Sequence, residues 1–282
     1  MPRRVNPASC GDRVLREGNV DYKTLILEEK DGIATLSLNR PDKRNAMSAE
    51  MGEEFLRMIT GLGARSDLRA LVLTGSGRAF CAGGSLDMMR VKTEGVSREE
   101  NKDSMRYFYE RFLAIRDVPF PSIASINGYA IGAGLCLALA CDMRIAAADA
   151  KMGMNFTRLG LHPGMGATFM LPRLVGAARA CELFFTGDLV SGTEAERIGL
   201  VNRAVPADQL VEETRRLAER LASSAPQAVR AVKRAVTLGL TASLEDMLDF
   251  ESSRQAECFE TEDFLEGISA VVQKREPRFQ GK

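Results

Sequence analysis

From Asn127 to Asp142 the chain reads Asn-Gly-Tyr-Ala-Ile-Gly-Ala-Gly-Leu-Cys-Leu-Ala-Leu-Ala-Cys-Asp, a turn of small residues that opens an apolar helix with no charge before its last position. Backbone N–H groups, rather than side chains, are the chemical tool such a segment offers. The first amides of a helix have no intrahelical acceptor and carry the positive end of its dipole, so a Gly/Ala turn lets a developing oxyanion approach them closely. A second small-residue loop, Arg78-Ala-Phe-Cys-Ala-Gly-Gly-Ser85, can supply another donor.

These loops need rigid elements to hold them. Thr24–Leu27 and Ile33–Leu38 flank an Asp31-Gly32 turn signal and predict an opening hairpin. Pro41 stops the second strand, Ser48 precedes a helix to about Leu62, and Ala70–Thr74 is a buried strand. A polar helix-prone segment, about Ser97 to Arg116, leads to a second buried strand at Ser122–Ile126, the Gly-rich turn with its helix, and a third strand at Met143–Ala147. This alternation predicts an α/β fold with a parallel sheet covered by helices. The remainder is helix-rich, with starts at Ser191–Glu194 (a capping box), Pro226 and Ser243–Asp246.

Composition bounds the function. The 282 residues suffice for one sizeable core, or a core with a small helical appendage. The 38 basic and 38 acidic residues cancel, so no global field draws the chain to nucleic acid or an anionic membrane. Six scattered cysteines without C-x-x-C spacing, and no secretory leader, read as free thiols in a reducing, cytoplasmic setting. A single histidine and no ligand cluster argue against a metal site, and no cofactor motif is present. The uncharged run from Val118 to Cys141 is broken by Pro119, Pro121 and Gly128, which favours a buried strand, turn and helix over a membrane span. Residues 1–20 read as a loose N-terminal extension.

The two loops, together with Leu38–Ala46, Gly160-Leu-His-Pro-Gly164 and the stretch from Thr186 to Asn202, resemble the crotonase superfamily, also called the enoyl-CoA hydratase/isomerase family. The resemblance spans about residues 22 to 281. It implies a crotonase-like repeated ββα spiral core over residues 21–206 with a CoA-thioester site, a C-terminal helical trimerisation part over 207–282, and a homotrimer or dimer of trimers. It places the two oxyanion-hole amides on Gly84 and Ala133, the second usually glycine in relatives. Lys43, Arg44 and Lys274 match basic positions that relatives use near the nucleotide, and Ala46, Ala82 and Ser85 complete the expected coenzyme A contacts. Coenzyme A enters as part of the substrate, with no bound cofactor.

Departures from the pattern bear on the reaction. Where hydratases of the family carry two glutamates, this chain has Cys136 and Phe156. Adding water to an enoyl thioester needs a base for the water and an acid for the α-carbon, work suited to paired carboxylates. Phe156 is expected to narrow and dry the pocket, and a thiol in the apolar company of Cys136 to stay neutral. Asp87, near the usual acidic position taken here by Ser85, and His162 are the remaining candidates for acid or base. Asp142 resembles a structural acid of the family, and either Tyr107 or Tyr109 can donate a proton if their helix borders the pocket. Val271 stands where relatives often have phenylalanine. The expectation is an acyl-CoA- or enoyl-CoA-processing lyase or isomerase that holds a thioester enolate in an oxyanion hole: an isomerase, a decarboxylase or an atypical hydratase. The alternative is a catalytically silent acyl-CoA-binding protein.

Overall fold

The structure, a computed structural model, describes residues 22–90 and 95–282. The expected N-terminal extension of residues 1–20, with Cys10, lies outside them. Strands β1 (Leu25–Lys30) and β2 (Ile33–Leu38) form an antiparallel hairpin with Leu25 opposite Leu38. Asp31 and Gly32 both adopt positive φ, as a tight two-residue hairpin turn requires. Ser48 caps α1 (Ala49–Gly63), its hydroxyl accepting the Met51 N–H at 3.2 Å. Met51, Phe55, Met58, Ile59 and Leu62 then recur at helical spacing and are buried, which fixes the face α1 turns to the core. Strand β3 (Ala70–Gly75) lies parallel to β2.

From β3 onward the chain repeats one move. A long buried strand turns a corner into a three-residue strand, which runs into a helix: β3 into β4 (Ala79–Cys81) and α2 (Leu86–Arg90); after α3 (Arg98–Leu113), β5 (Ser122–Ile126) into β6 (Tyr129–Ile131) and α4 (Ala133–Ala140). Next come β7 (Met143–Ala147), β8 (Lys151–Gly153), α5 (Ala167–Val175), α6 (Ala177–Thr186), β9 (Leu189–Ser191), α7 (Gly192–Arg197) and β10 (Arg203–Val205). The long strands build a six-stranded sheet in the order β1-β2-β3-β5-β7-β10, and the short ones a second sheet, β4-β6-β8-β9. Each ββ unit gives one strand to each sheet, and β3-β5-β7 and β4-β6-β8 both add in chain order, so the core winds as a spiral of ββα repeats. The uncharged run from Val118 to Cys141 is one such repeat, with β5 and α4 wholly buried.

Side-chain amides hold the corners. Asn45, fully buried at φ 56°, accepts the Arg40 N–H at 2.8 Å and donates to the carbonyls of Ser76 and Ala79 at 2.9 and 2.7 Å. It thereby bonds to both sides of the β3–β4 corner. Asn127, at the next corner, reaches back to the same β3–β4 corner, donating to the carbonyls of Gly75 and Gly77 at 2.7 and 3.0 Å. Asp142, just after α4, accepts the N–H and hydroxyl of Ser122 at 2.7 and 2.9 Å and pairs with Lys233 at 2.8 Å, a structural assignment for this acid.

Helix α8 (Leu210–Ala222) packs back on β3, β5 and β7, where the Thr214 and Ser125 hydroxyls meet at 3.0 Å. Beyond it lie α9 (Pro226–Gly239), which has proline at its start, α10 (Leu244–Phe259), with a complete Ser243/Asp246 capping box, and α11 (Glu262–Gln273). The box expected at Ser191 is only half made. Ser191 accepts the Glu194 N–H, but the Glu194 carboxylate turns to Arg197 instead of returning to the cap. Among the described residues, no helix is long and apolar enough to cross a membrane.

Asn45→Ala is expected to orphan the buried groups at the β3–β4 corner and to cost about 3 kcal/mol in urea unfolding. A loss below about 1 kcal/mol would show that the corner holds without this amide.

Candidate active site

Strands β4, β6 and β8 run parallel and adjacent. Their carboxyl ends therefore open on one side, where ligand sites of parallel sheets form. Ala82–Ser85 follows β4, Gly132-Ala133 follows β6, and Met154-Asn155-Phe156 follows β8. A bulge between Ala79 and Cys81 offsets the β4 register just before its loop.

The loop after β4 is pinned as a one-residue parallel bridge. Met47 N–H donates to Gly83 O and Ser85 N–H to Met47 O, both at 2.8 Å, and Ala82 N–H donates to Arg44 O at 3.0 Å. This pattern uses the Gly83 carbonyl and the Ser85 N–H, and so turns the Gly84 N–H, on the far side of the Gly83 peptide, the other way. At the β6 end, Gly132 N–H donates to Gly153 O at 2.8 Å, and Gly132 takes φ 53°, ψ −119°, a conformation open to glycine. That turn makes Ala133 the first residue of α4, which has no side-chain cap. Ala133 is absent from the positive-φ residues, so its methyl costs no backbone strain. Among the described residues neither the Gly84 nor the Ala133 N–H has a protein acceptor. The two loops touch: the point where a Gly83 side chain would begin lies 3.8 Å from the Ala133 nitrogen. Gly134 has a different job, since a Cβ there would fall 2.2 Å from Cys81 O. Its hydrogen lets α4 seat directly on β4.

Around these amides the walls are apolar. The Met89 and Met88 methyls lie 3.0 and 3.6 Å from where a Gly84 side chain would start. The Phe156 ring comes within 3.9 Å of the corresponding point at Gly132. Cys136, one turn after Ala133, is fully buried, and its Sγ donates to Gly164 O at 3.5 Å. Burial holds this thiol far above its ordinary range, so it stays neutral. Neither Cys136 nor Phe156 provides a charge.

The other candidates divide. Asp87 is exposed in the first turn of α2, and His162 is exposed with Nδ1 2.7 Å from Pro163 O. Neither bonds to Cys136 or to the two amides. Lys43 and Arg44 are exposed on the turn that Asn45 anchors, and the Arg44 guanidinium lies 5.8 Å from the Tyr129 ring centroid. Ala46, Ala82 and Ser85 are half-buried along the bridged segments between that turn and Gly84. Lys274 is exposed at the end of α11, and no hydrogen bond or ion pair joins it to the Lys43 turn. Tyr107 is exposed and donates to Glu53, whereas Tyr109 packs on the core with its hydroxyl against Gly164. Sequence reasoning passed over Asn155, half-buried, whose Oδ1 stands 3.1 Å from the Gly132 side-chain point. Its place beside Phe156 was the available signal. Among the described residues no cluster of His, Cys, Asp and Glu is placed to hold a metal.

A free amide at the start of a buried apolar helix and a second on the adjoining loop can stabilise an oxygen that gains negative charge, most strongly where water is excluded. A sequence model of the enoyl-CoA hydratase/isomerase family matches residues 28–282. A crotonyl-CoA hydratase of Syntrophomonas wolfei is 36% identical over 93% of this chain and 99% of its own. A 1,2-epoxyphenylacetyl-CoA isomerase of Escherichia coli is 35% identical over 92% and 98%. The crystal structure of an enoyl-CoA hydratase from Bacillus anthracis superposes with a TM-score of 0.87 at 36% identity, over 92% of this chain and all of that one.

Proline is accepted at the first position of a helix, where it removes only an amide that has no helical partner. Ala133→Pro is therefore expected to fold normally and to lower kcat on a thioester substrate about 10²- to 10³-fold. An unchanged kcat in the folded variant would remove Ala133 from the hole.

Proposed function

This chain belongs to the enoyl-CoA hydratase/isomerase family, and from that premise we propose that it converts an acyl-CoA thioester through an enolate held by the Gly84 and Ala133 amides. The observation that carries the reading is that two amides without a protein acceptor among the described residues lie on touching loops after β4 and β6. The thioester oxygen sits between them, and charge that develops on it is met by fixed dipoles in an apolar setting.

What surrounds the hole selects among reactions. Hydration in the two-carboxylate manner lacks both acids, because Cys136 is a neutral thiol and Phe156 a hydrocarbon wall. Reactions that make or consume the enolate without activating water fit better: migration of a double bond, or loss of carbon dioxide from an α-carboxyacyl thioester of the malonyl type, which releases the enolate without a base. At the other end of the ligand, Lys43, Arg44 and Lys274 pair with the phosphates, and the backbone of Ala46, Ala82 and Ser85 lines the path to the thioester. The exposed Val232, Val236, Leu244, Val271 and Val272 of α9–α11 support a homotrimer or dimer of trimers, in which this face is covered. The second reading, a silent acyl-CoA-binding protein, draws on the same neutral thiol.

Liquid chromatography that separates double-bond isomers, with mass detection, of crotonyl-CoA, a longer 2-enoyl-CoA, a 3-enoyl-CoA and malonyl-CoA after incubation with the protein tests this. The expected products are an isomer of unchanged mass or the loss of carbon dioxide. Efficient gain of water would overturn the reading, and binding without any product would favour the silent one. The variant Cys136→Glu with Phe156→Glu is expected to raise hydration of crotonyl-CoA at least about 10²-fold. A folded double variant that gains nothing would show that these positions do not face the acyl group.

A further inference from the structure

Helix α3 presents one polar group to this site that no carboxylate accompanies. Tyr109 sits half-buried against the core, with the Phe108 ring edge-on at 6.4 Å. Its hydroxyl occupies the space beside Gly164: a Cβ built there would fall 2.4 Å from the Tyr109 oxygen and 2.7 Å from Cζ. Gly164 is also the residue whose carbonyl takes the Cys136 thiol at 3.5 Å. The phenol, the thiol and the loop that follows Phe156 thus meet at Gly164, and the thiol belongs to a residue about one helical turn along α4 from Ala133. No described residue accepts from or donates to the Tyr109 hydroxyl, and it is not among the buried unpartnered side-chain atoms, so a ligand can reach it.

We propose that Tyr109 is the acid that protonates the α-carbon of the enolate, in place of the carboxylates missing at 136 and 156. This rests on the enolate reading given above. In the step, the phenol O–H breaks and its proton forms the new C–H bond with the electron pair of the enolate C=C. An oxygen lone pair re-forms the thioester carbonyl, so the negative charge passes from the oxygen between Gly84 and Ala133 to the phenolate, which recovers a proton from water and leaves hydroxide. Burial, and then the nearness of Cys136, raise the phenol's pKa above the ordinary 10, so the group waits in its proton-bearing form. Cys136 is the titratable group facing it from α4, and His162, on the loop with Gly164, is exposed and lies against the Pro163 carbonyl. The phenyl ring supplies packing, so Tyr109→Phe deletes the acid and keeps the wall.

Microscopic reversibility gives a test that needs no knowledge of the natural acyl group. Butyryl-CoA in D2O is expected to exchange a single prochiral α-hydrogen on the wild-type protein, at a rate that climbs about tenfold per pH unit below the phenol's pKa as phenolate forms. Tyr109→Phe is expected to lose at least about 10²-fold of this exchange, while calorimetry shows unchanged butyryl-CoA binding. Ala133→Pro is expected to lose it as well. Exchange that survives in Tyr109→Phe but fails in Ala133→Pro would overturn the role of Tyr109 and leave the enolate reading standing. Exchange that survives in Ala133→Pro would strike the enolate reading itself. A wild-type protein that binds butyryl-CoA and exchanges nothing at any pH would overturn the Tyr109 assignment.

Discussion

Parallel pairing of three very short strands, β4, β6 and β8, is the constraint on which the site depends. Each strand has only three residues, too few to be stable in isolation. They are held because each continues from a long buried strand of the other sheet, and because Asn45 and Asn127 together satisfy the carbonyls of the β3–β4 corner. Once the short strands lie side by side, the loops after them must lie side by side too. Gly84, Ala133 and Phe156 are far apart in sequence and occupy the same position in successive turns of one spiral.

That arrangement separates two uses of small residues that look alike in sequence. Gly134 is small because α4 must sit against the Cys81 carbonyl, and Gly132 because the chain turns there with positive φ. At Gly84 and Ala133 a small residue leaves open to approach an amide that has no protein acceptor among the described residues, as the proposed function requires. The bridge at Met47 engages the Gly83 carbonyl and the Ser85 amide and so faces the Gly84 N–H away, while the Ala82 amide goes to Arg44.

The electrostatic character of the site follows from burial. Helix α4 is apolar along its whole length, the Met88 and Met89 methyls close over Gly84, and Phe156 walls the Gly132 turn. In such surroundings a thiol stays protonated and fixed amide dipoles act at short range with little screening. Carboxylates at Cys136 and Phe156 would bring charge here. Without them the pocket keeps neutral groups, and the phenol of Tyr109, neutral for the same reason, is chemically consistent with its neighbours.

Much of this was legible in the residues alone. The hairpin about Asp31-Gly32, the Ser48 start of α1, the strands at 33–38, 122–126 and 143–147, and the Gly-rich turn into α4 were written in periodicity, turn chemistry and caps, which are local signals. Family landmarks carried the spiral and pointed to Gly84 and Ala133. The second sheet was not visible: β4, β6 and β8 are too short to show a period of two, and two of them lie within stretches that read as small-residue loops. Nor could sequence separate Tyr109 from Tyr107, two residues apart on one helix. A helix turns 100° per residue, so one hydroxyl reaches Glu53 at the surface and the other meets Gly164 at the site. Sequence determined which groups were present and which charges were missing. The tertiary structure decided which of them meet, because that depends on the pairing of strands distant in the chain.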